Sequence, residues 1–366
     1  MAVSIFREDV GLSILVSSRQ SEVSSKFPNQ TKMVNILITG ASGFIGSFLV
    51  EEGIKRDYQV YAGIRKSSSK EYLKDPGIRF VVLDFSSVDK IVSTLEEYKR
   101  QNIRFHYIIH NAGLTKAQKK EDYSRVNYLN TKNFIEALQQ EDMIPDKFIF
   151  ISSLAAFGPG NPKTLEPVRL TDKPNPIELY GKSKFEAETY IQSLTNFPWL
   201  IFRPTGVYGP REKDYFVFFQ TISRGFETYI GKTKQILTFI YVRDLVRVIF
   251  DAIQSSIIRK AYFVSDGNEY DTVSFAAITK KHLNKRTIRL VVPPRVVKSI
   301  ALLLEKSYGI FGKIPTLNTD KYKVMSSTNW KCEVEPLQND FNFKAQYDLD
   351  NGVKETLEWY IKEGWL

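Results

Sequence analysis

Val34-Asn35-Ile36-Leu37-Ile38-Thr39-Gly40-Ala41-Ser42-Gly43-Phe44-Ile45-Gly46 is the stretch whose reading decides how the rest of the chain folds. Its first half is an apolar run rich in Ile and Val, the composition of a strand buried on both faces of a parallel sheet. Glycines at 40, 43 and 46 follow, and then a helical stretch with Phe48, Leu49 and Ile54 on an inner face. Strand, glycine turn and helix in that order predict a dinucleotide-phosphate site. Gly40 permits the tight turn, Gly43 lets the backbone approach a pyrophosphate, and Gly46 lets the helix pack close to the strand. The helix start over Ser42, Gly43, Phe44, Ile45 and Gly46 offers free N–H groups and a positive dipole end to the phosphates. A tight turn without a ligand is the competing reading, and the rest of the chain argues against it.

Composition bounds the answer. With 366 residues, 43% hydrophobic and 25% charged, the chain is an ordinary globular protein of one large domain or two sharing a cleft. The net charge of +10 suits an anionic cofactor and leaves an anionic substrate or membrane surface open. No basic block with a nucleic-acid motif occurs, so nucleic acid is not expected as a partner. Cys332 is the only cysteine, which excludes disulfides, zinc clusters and iron–sulfur centres within one chain and points to a reducing, cytoplasmic setting. The apolar runs near 240–253 and 291–304 are broken by Arg243, Asp244, Arg247, Arg295 and Lys298, so no transmembrane helix is expected. Residues 1–32 are polar and irregular, and read as a disordered or non-native leader before Met33.

Along the chain, strands alternate with helices, which predicts a doubly wound α/β sheet over 33–204. The second strand, 59–64, ends at Arg65-Lys66 and three serines, where an acid would bind a ribose 2′-hydroxyl. A cation and hydroxyls suit a 2′-phosphate, so NADP(H) is favoured, with NAD(H) left open. The third strand, 79–83, leads to Asp84-Phe85, a carboxylate and an apolar side chain that could flank adenine. The fourth, 105–109, runs into His110-Asn111-Ala112-Gly113, small residues past which a cofactor could lie; His110 itself is read as a packed histidine. A helix over 123–140 carries Asn127. The fifth strand, 148–151, ends at Ser152-Ser153, and a proline-rich loop over 159–176 follows as a cleft rim. The sixth, 199–202, leads to Arg203-Pro204-Thr205-Gly206-Val207-Tyr208-Gly209-Pro210. Beyond it, 205–366 read mainly as a smaller substrate-binding lobe, with some elements returning to the nucleotide domain.

Tyr180 and Lys184 are four apart and share a helix face. A tyrosine is a poor acid–base group at neutral pH, and a neighbouring ammonium would favour its phenolate. Ser153 at a strand end could orient a substrate oxygen beside the phenol, an arrangement that moves a proton while a nicotinamide moves a hydride. With these motifs the chain resembles the extended short-chain dehydrogenase/reductases, the NAD-dependent epimerase/dehydratase family, from about residue 34 to 366. The resemblance implies a catalytic Ser153, Tyr180 and Lys184, Asn127 as a fourth supporting residue, and Pro204 and Val207 beside the nicotinamide.

Departures from the family pattern bear on the substrate. Nucleotide-sugar members usually carry Asn where this chain has Gly206 and Arg where it has Leu237, and Phe157 replaces a common Tyr. The motif string looks more like the hydroxysteroid dehydrogenase and dihydroflavonol reductase-like branch. The expectation is therefore hydride transfer at a ketone or secondary alcohol of a sterol-like or long-chain lipid, with a nucleotide-sugar epimerase or dehydratase as the alternative. The cleft wall is expected from Phe157, Tyr215, Phe216, Phe218, Phe219, Ile300 and Leu304. Residues 295–314 read either as a helix packed on the lobe with solvated lysines, which is preferred, or as a basic amphipathic helix on a membrane. A homodimer is left open.

Overall fold

The computed structural model of the protein describes residues 33–231, 235–310, 315 and 317–366. The leader expected over 1–32 lies outside the described residues. β1 (Asn35–Thr39), α1 (Phe44–Lys55), β2 (Gln59–Ile64), β3 (Arg79–Val82), α2 (Val88–Arg100) and β4 (Tyr107–His110) open the chain. Next come α3 (Glu121–Ser124), a π-helical turn over Arg125–Leu129, α4 (Asn130–Gln140), β5 (Lys147–Ile151), α5 (Leu179–Ser193) and β6 (Trp199–Pro204). β7 (Gly206–Tyr208), α6 (Phe216–Ser223), β8 (Phe226–Ile230), β9 (Ile236–Leu237), β10 (Phe239–Tyr241), α7 (Val242–Gln254) and β11 (Lys260–Val264) follow. The remainder is β12 (Tyr270–Asp271), α8 (Thr272–Leu283), β13 (Ile288–Val292), α9 (Pro294–Ile310), α10 (Thr319–Ser326), α11 (Glu335–Phe341) and α12 (Leu349–Lys362).

Seven strands form one parallel sheet in the order β11-β6-β5-β4-β1-β2-β3. The order reverses between β1 and β4, the switch point outside which a doubly wound sheet binds ligands. Aliphatic and aromatic runs make these strands because both faces are covered. On one face Ile36, Ile38, Ile149 and Phe202 pack with Leu49 of α1 and Ile249 and Phe250 of α7. On the other Leu37, Ile108, Phe148 and Ile201 pack with Leu95, Phe134, Leu138 and Ile191 from α2, α4 and α5. The sequence reads 205–366 mainly as the smaller lobe, with unspecified elements returning to the nucleotide domain. The structure lays β11 beside β6 and α7 against α1, within the nucleotide domain. An apolar strand and an amphipathic helix look the same whichever core receives them.

Two charged side chains fasten α7. Its first-turn Asp244 accepts the backbone N–H groups of Gln346 at 2.9 Å and Tyr347 at 2.9 Å and the Arg247 guanidinium at 2.7 Å. At the other end Lys147, buried in β5, donates to the carbonyls of Ala252 and Ser255, both at 2.6 Å. A cation there complements the negative end of the helix. The lobe has its own core, in which Tyr208, Phe239 and Tyr241 of the paired strands β7 and β10 meet Phe219, Phe275, Leu357 and Tyr360. Val34–Leu366 forms one compact unit.

Candidate active site

The glycine turn has the geometry its sequence demands. Gly40 adopts φ +65°, and a Cβ there would stand 2.8 Å from the Ala112 nitrogen. A Cβ on Gly46 would stand 2.1 Å from the Gly40 carbonyl, so only glycine lets α1 start this close to the strand. Gly43 caps α1 without a side-chain hydrogen bond. The first N–H groups of the helix, at Phe44, Ile45 and Gly46, therefore lack an intrahelical acceptor, and with Ser42 beside them they face the carboxyl edge of the sheet. This cradle fits the pyrophosphate of a nicotinamide dinucleotide.

The neighbouring strand ends complete it. Thr39 Oγ1 accepts the Ala112 N–H at 3.2 Å and bonds the buried His110 ring at 2.9 Å; Thr131 meets the other ring nitrogen at 3.0 Å. Burial pushes the His110 imidazole down to about 3, so it stays neutral and is a packing residue. Asn111 reaches the Gly40 carbonyl at 3.5 Å, and Gly113 leaves room for Lys184. At the end of β2, Arg65 and Lys66 are exposed and make no ion pair among the described residues, and Ser68 accepts the Arg65 N–H at 3.0 Å. Asp84 is exposed and engaged by Lys90 at 2.8 Å, which holds its carboxyl down at about 2. Phe85 packs edge-on against His110 and Phe134, so it contributes to the core as well as to the rim.

Ser153, Tyr180 and Lys184 come together at the carboxyl ends of β5 and β4. Ser153 caps the short turn over Leu154–Ala156 and hydrogen-bonds the Tyr180 phenol. Lys184 is buried, donates to the Ile151 carbonyl at 2.7 Å and stands over the Phe150 ring at 4.6 Å. Burial lowers this ammonium to about 8, opposed by Glu188 one helical turn on. The expectation that Lys184 lowers the Tyr180 pKa does not hold here. Burial, with the Glu178 carboxylate, raises the phenol, and only Ser153 opposes it. The ammonium is turned to the strand-end carbonyl instead.

Asn127 lies in the π-helical turn, a local widening that is common at functional sites. Its side chain accepts the Leu114 N–H at 2.7 Å and donates to the Leu114 carbonyl at 3.0 Å and to Ser183 at 2.9 Å. Ser183 in turn donates to the Tyr180 carbonyl at 2.7 Å. Asn127 thus ties the Gly113 loop to the helix that bears Tyr180. Pro204 ends β6, buried, and Val207 pairs with Ile240 in β7, half-buried.

The Glu178 cap and the pairing of Arg203 with Glu188 stand outside the sequence expectations. Glu178 caps α5, accepting the Gly181 N–H at 2.6 Å, and burial pushes its carboxyl up to about 7. An acidic residue just before a helix was the available signal. Arg203 and Glu188 form a buried pair with bonds of 3.1, 3.0 and 2.8 Å, which no local pattern announces. The expected cleft wall is only partly a wall. Phe157 is buried against Phe263 and Arg203, Phe219 is wholly buried, and Phe216 and Phe218 pack on Tyr360 and Phe275. Tyr215 does face Gly206: its hydroxyl lies 2.3 Å from where a Gly206 Cβ would be.

Comparison with known proteins bears on the family and the fold. The profile of the NAD dependent epimerase/dehydratase family matches residues 36–264. UDP-glucose 4-epimerase of Vibrio cholerae is 30% identical over 327 residues, covering 85% of this chain and 94% of the relative. Ceramide reductase of Caulobacter vibrioides is 22% identical, covering 90% of this chain and 96% of the relative. Among solved structures, UDP-glucose 4-epimerase of Thermotoga maritima with UDP-glucose superposes with a TM-score of 0.73 at 20% identity, covering 90% and 99%. At that identity the likeness is one of fold.

Proposed function

The chain belongs to the NAD dependent epimerase/dehydratase family, the extended short-chain dehydrogenase/reductases, and within it we propose that the protein is an oxidoreductase acting at a ketone or secondary alcohol of an apolar substrate. The observation that carries the substrate class is the Tyr215 phenol over Gly206, 2.3 Å from the place of a Cβ. Where sugar-nucleotide members carry an amide, the Tyr215 hydroxyl and the edge of the Phe239 ring fill the space. Leu237, half-buried beside Tyr270, takes the place of a cation that would meet a diphosphate. An aliphatic and aromatic surface gains affinity by covering apolar area, whereas a diphosphate needs cations and N–H donors.

The bound dinucleotide supplies or accepts the hydride. The N–H groups of the α1 start would hold it, with Asn111, Ala112 and Gly113 close by and Pro204 and Val207 lining its nicotinamide end. The unpaired Arg65 and Lys66 support NADP(H) over NAD(H) through the 2′-phosphate. Ser153 orients the substrate oxygen, and Tyr180, kept protonated by burial, donates a proton there. Lys184, held at the Ile151 carbonyl, would donate to the ribose of a bound dinucleotide, and Asn127 positions the loop and helix around it.

The test is turnover and thermal stabilisation of the NADPH-loaded protein with a panel of long-chain and polycyclic ketones and of nucleotide sugars, with Tyr180→Phe alongside. Apolar ketones should raise Tm and be reduced, and Tyr180→Phe should lose about a hundredfold or more in turnover while still binding NADPH. A Tm shift with a uridine or thymidine diphosphate, and none with any apolar ketone, overturns this reading. The second reading, a nucleotide-sugar epimerase or dehydratase, would then stand, and the 30% identity to an epimerase favours it.

A further inference from the structure

Exposed apolar side chains concentrate on β13, α9 and the facing strand β8. Among residues 294–308 of α9 only Val297 and Ala301 are buried. Val296, Ile300 and Leu303, between 43% and 67% exposed, follow i, i+4, i+7 spacing and form one stripe along the helix. In the parallel pair, Phe226 stands opposite Ile288 and Thr228 opposite Leu290, which puts Phe226, Ile288 and Leu290 on one face. All three are exposed, while Glu227 and Tyr229 on the other face of β8 are buried. Packing on the lobe therefore accounts for a narrow strip of α9 and leaves this apolar stripe uncovered.

Charge marks the same stretch. Residues 280–310 hold eight lysines and arginines and a single carboxylate, Glu305, whereas the whole chain holds 51 and 41. Lys280 and Lys281 pair with Glu227 and Asp350. Lys285, Arg286, Arg295, Lys298 and Lys306 form no ion pair among the described residues. A second copy of this chain would bring the same cations against these, which disfavours self-association through this face. Aliphatic groups that enter an acyl boundary, with cations beside them that meet headgroup phosphates, match an anionic lipid surface.

We propose that β13 and α9 dock the protein on anionic membrane lipid, with α9 lying in the plane of the interface. No helix among the described residues is long and apolar enough to cross a membrane, so this contact is peripheral. It does not depend on the substrate class proposed above.

The experiment is co-sedimentation of the full chain with phosphatidylcholine vesicles and with phosphatidylcholine–phosphatidylserine vesicles, at low and high salt. Wild type should bind only the phosphatidylserine vesicles and be released by salt. A cation near such a surface contributes about fivefold, so Lys298→Gln with Lys306→Gln should weaken binding about twenty-five-fold. Ile300→Asp with Leu303→Asp should abolish it with Tm unchanged. Wild type left in the supernatant, equal binding to neutral and anionic vesicles, or variants that bind like wild type each overturn the proposal. So does a wild-type dimer in light scattering that disappears in Ile300→Asp with Leu303→Asp, which would give the face to a second copy. If that variant fails to fold, the lipid, salt and lysine arms still decide.

Discussion

At the scale of single residues, the informative ones are those whose surroundings set their chemistry. Arg65 stands at the end of β2, exposed and unpaired, with Lys66 next to it. A charge-assisted bond to a phosphate is worth roughly 1.5–3 kcal/mol. Arg65→Asp should therefore cut NADPH affinity by about tenfold or more and leave NADH affinity unchanged or improved, as read by calorimetric titration. A wild type that prefers NADH would remove the basis for the NADP(H) assignment. Tyr180 illustrates a limit of residue-scale reading. The pair Tyr180 and Lys184 was visible from spacing alone, but spacing does not say where the ammonium points. Burial first, then the Glu178 carboxylate, keeps Tyr180 protonated, while the ammonium bonds Ile151 O.

At the scale of elements, two buried carboxyls cap the segments that frame the cleft. Glu178 accepts the Gly181 N–H at the start of α5, and Glu212 accepts the N–H groups of Asp214 and Tyr215, both at 2.6 Å, just before α6. Burial raises each from 4.5 to about 7. A carboxyl raised on folding binds its proton more tightly in the native state. Its contribution is complete below the unfolded value of 4.5 and is lost as pH rises through about 7. The wild type should thus lose more stability between pH 5 and pH 8 than Glu178→Gln with Glu212→Gln, whose amide oxygens still accept the capping N–H groups. The difference is at most about 3 kcal/mol per carboxyl. Denaturant titrations across that pH range measure it, and parallel profiles for the two proteins would contradict it.

At the scale of the whole molecule, stability should grade outward from the sheet. β1, β4, β5 and β6 are covered on both faces, whereas β13 and α9 expose most of their length. Hydrogen exchange should be slowest in the first group and fastest in the second; protection in β13 equal to that in β5 would contradict this. The sheet was largely legible because its strands are short apolar runs between turn residues, and β2 falls where its sequence puts it, at Gln59–Ile64. The glycine turn was legible because it needs one residue type at fixed places. The partition of the second half was not. Which core an apolar segment joins depends on contacts made far along the chain, such as Asp244 holding the backbone of Gln346. The aromatic run from Tyr215 to Phe219 reads as a cleft wall because periodicity marks an apolar face without saying what covers it. Here Phe219 and Phe216 meet Tyr360, near the end of the chain.

The buried pair of Arg203 and Glu188 joins β6 to the helix of Tyr180 and Lys184. Both side chains are almost fully covered. Removing either one alone leaves an uncompensated buried charge, at about 3–5 kcal/mol, while an apolar pair of matching volume can be tolerated. The two positions should therefore behave as one unit in a double-mutant cycle, each single truncation costing more than a matched apolar replacement of both.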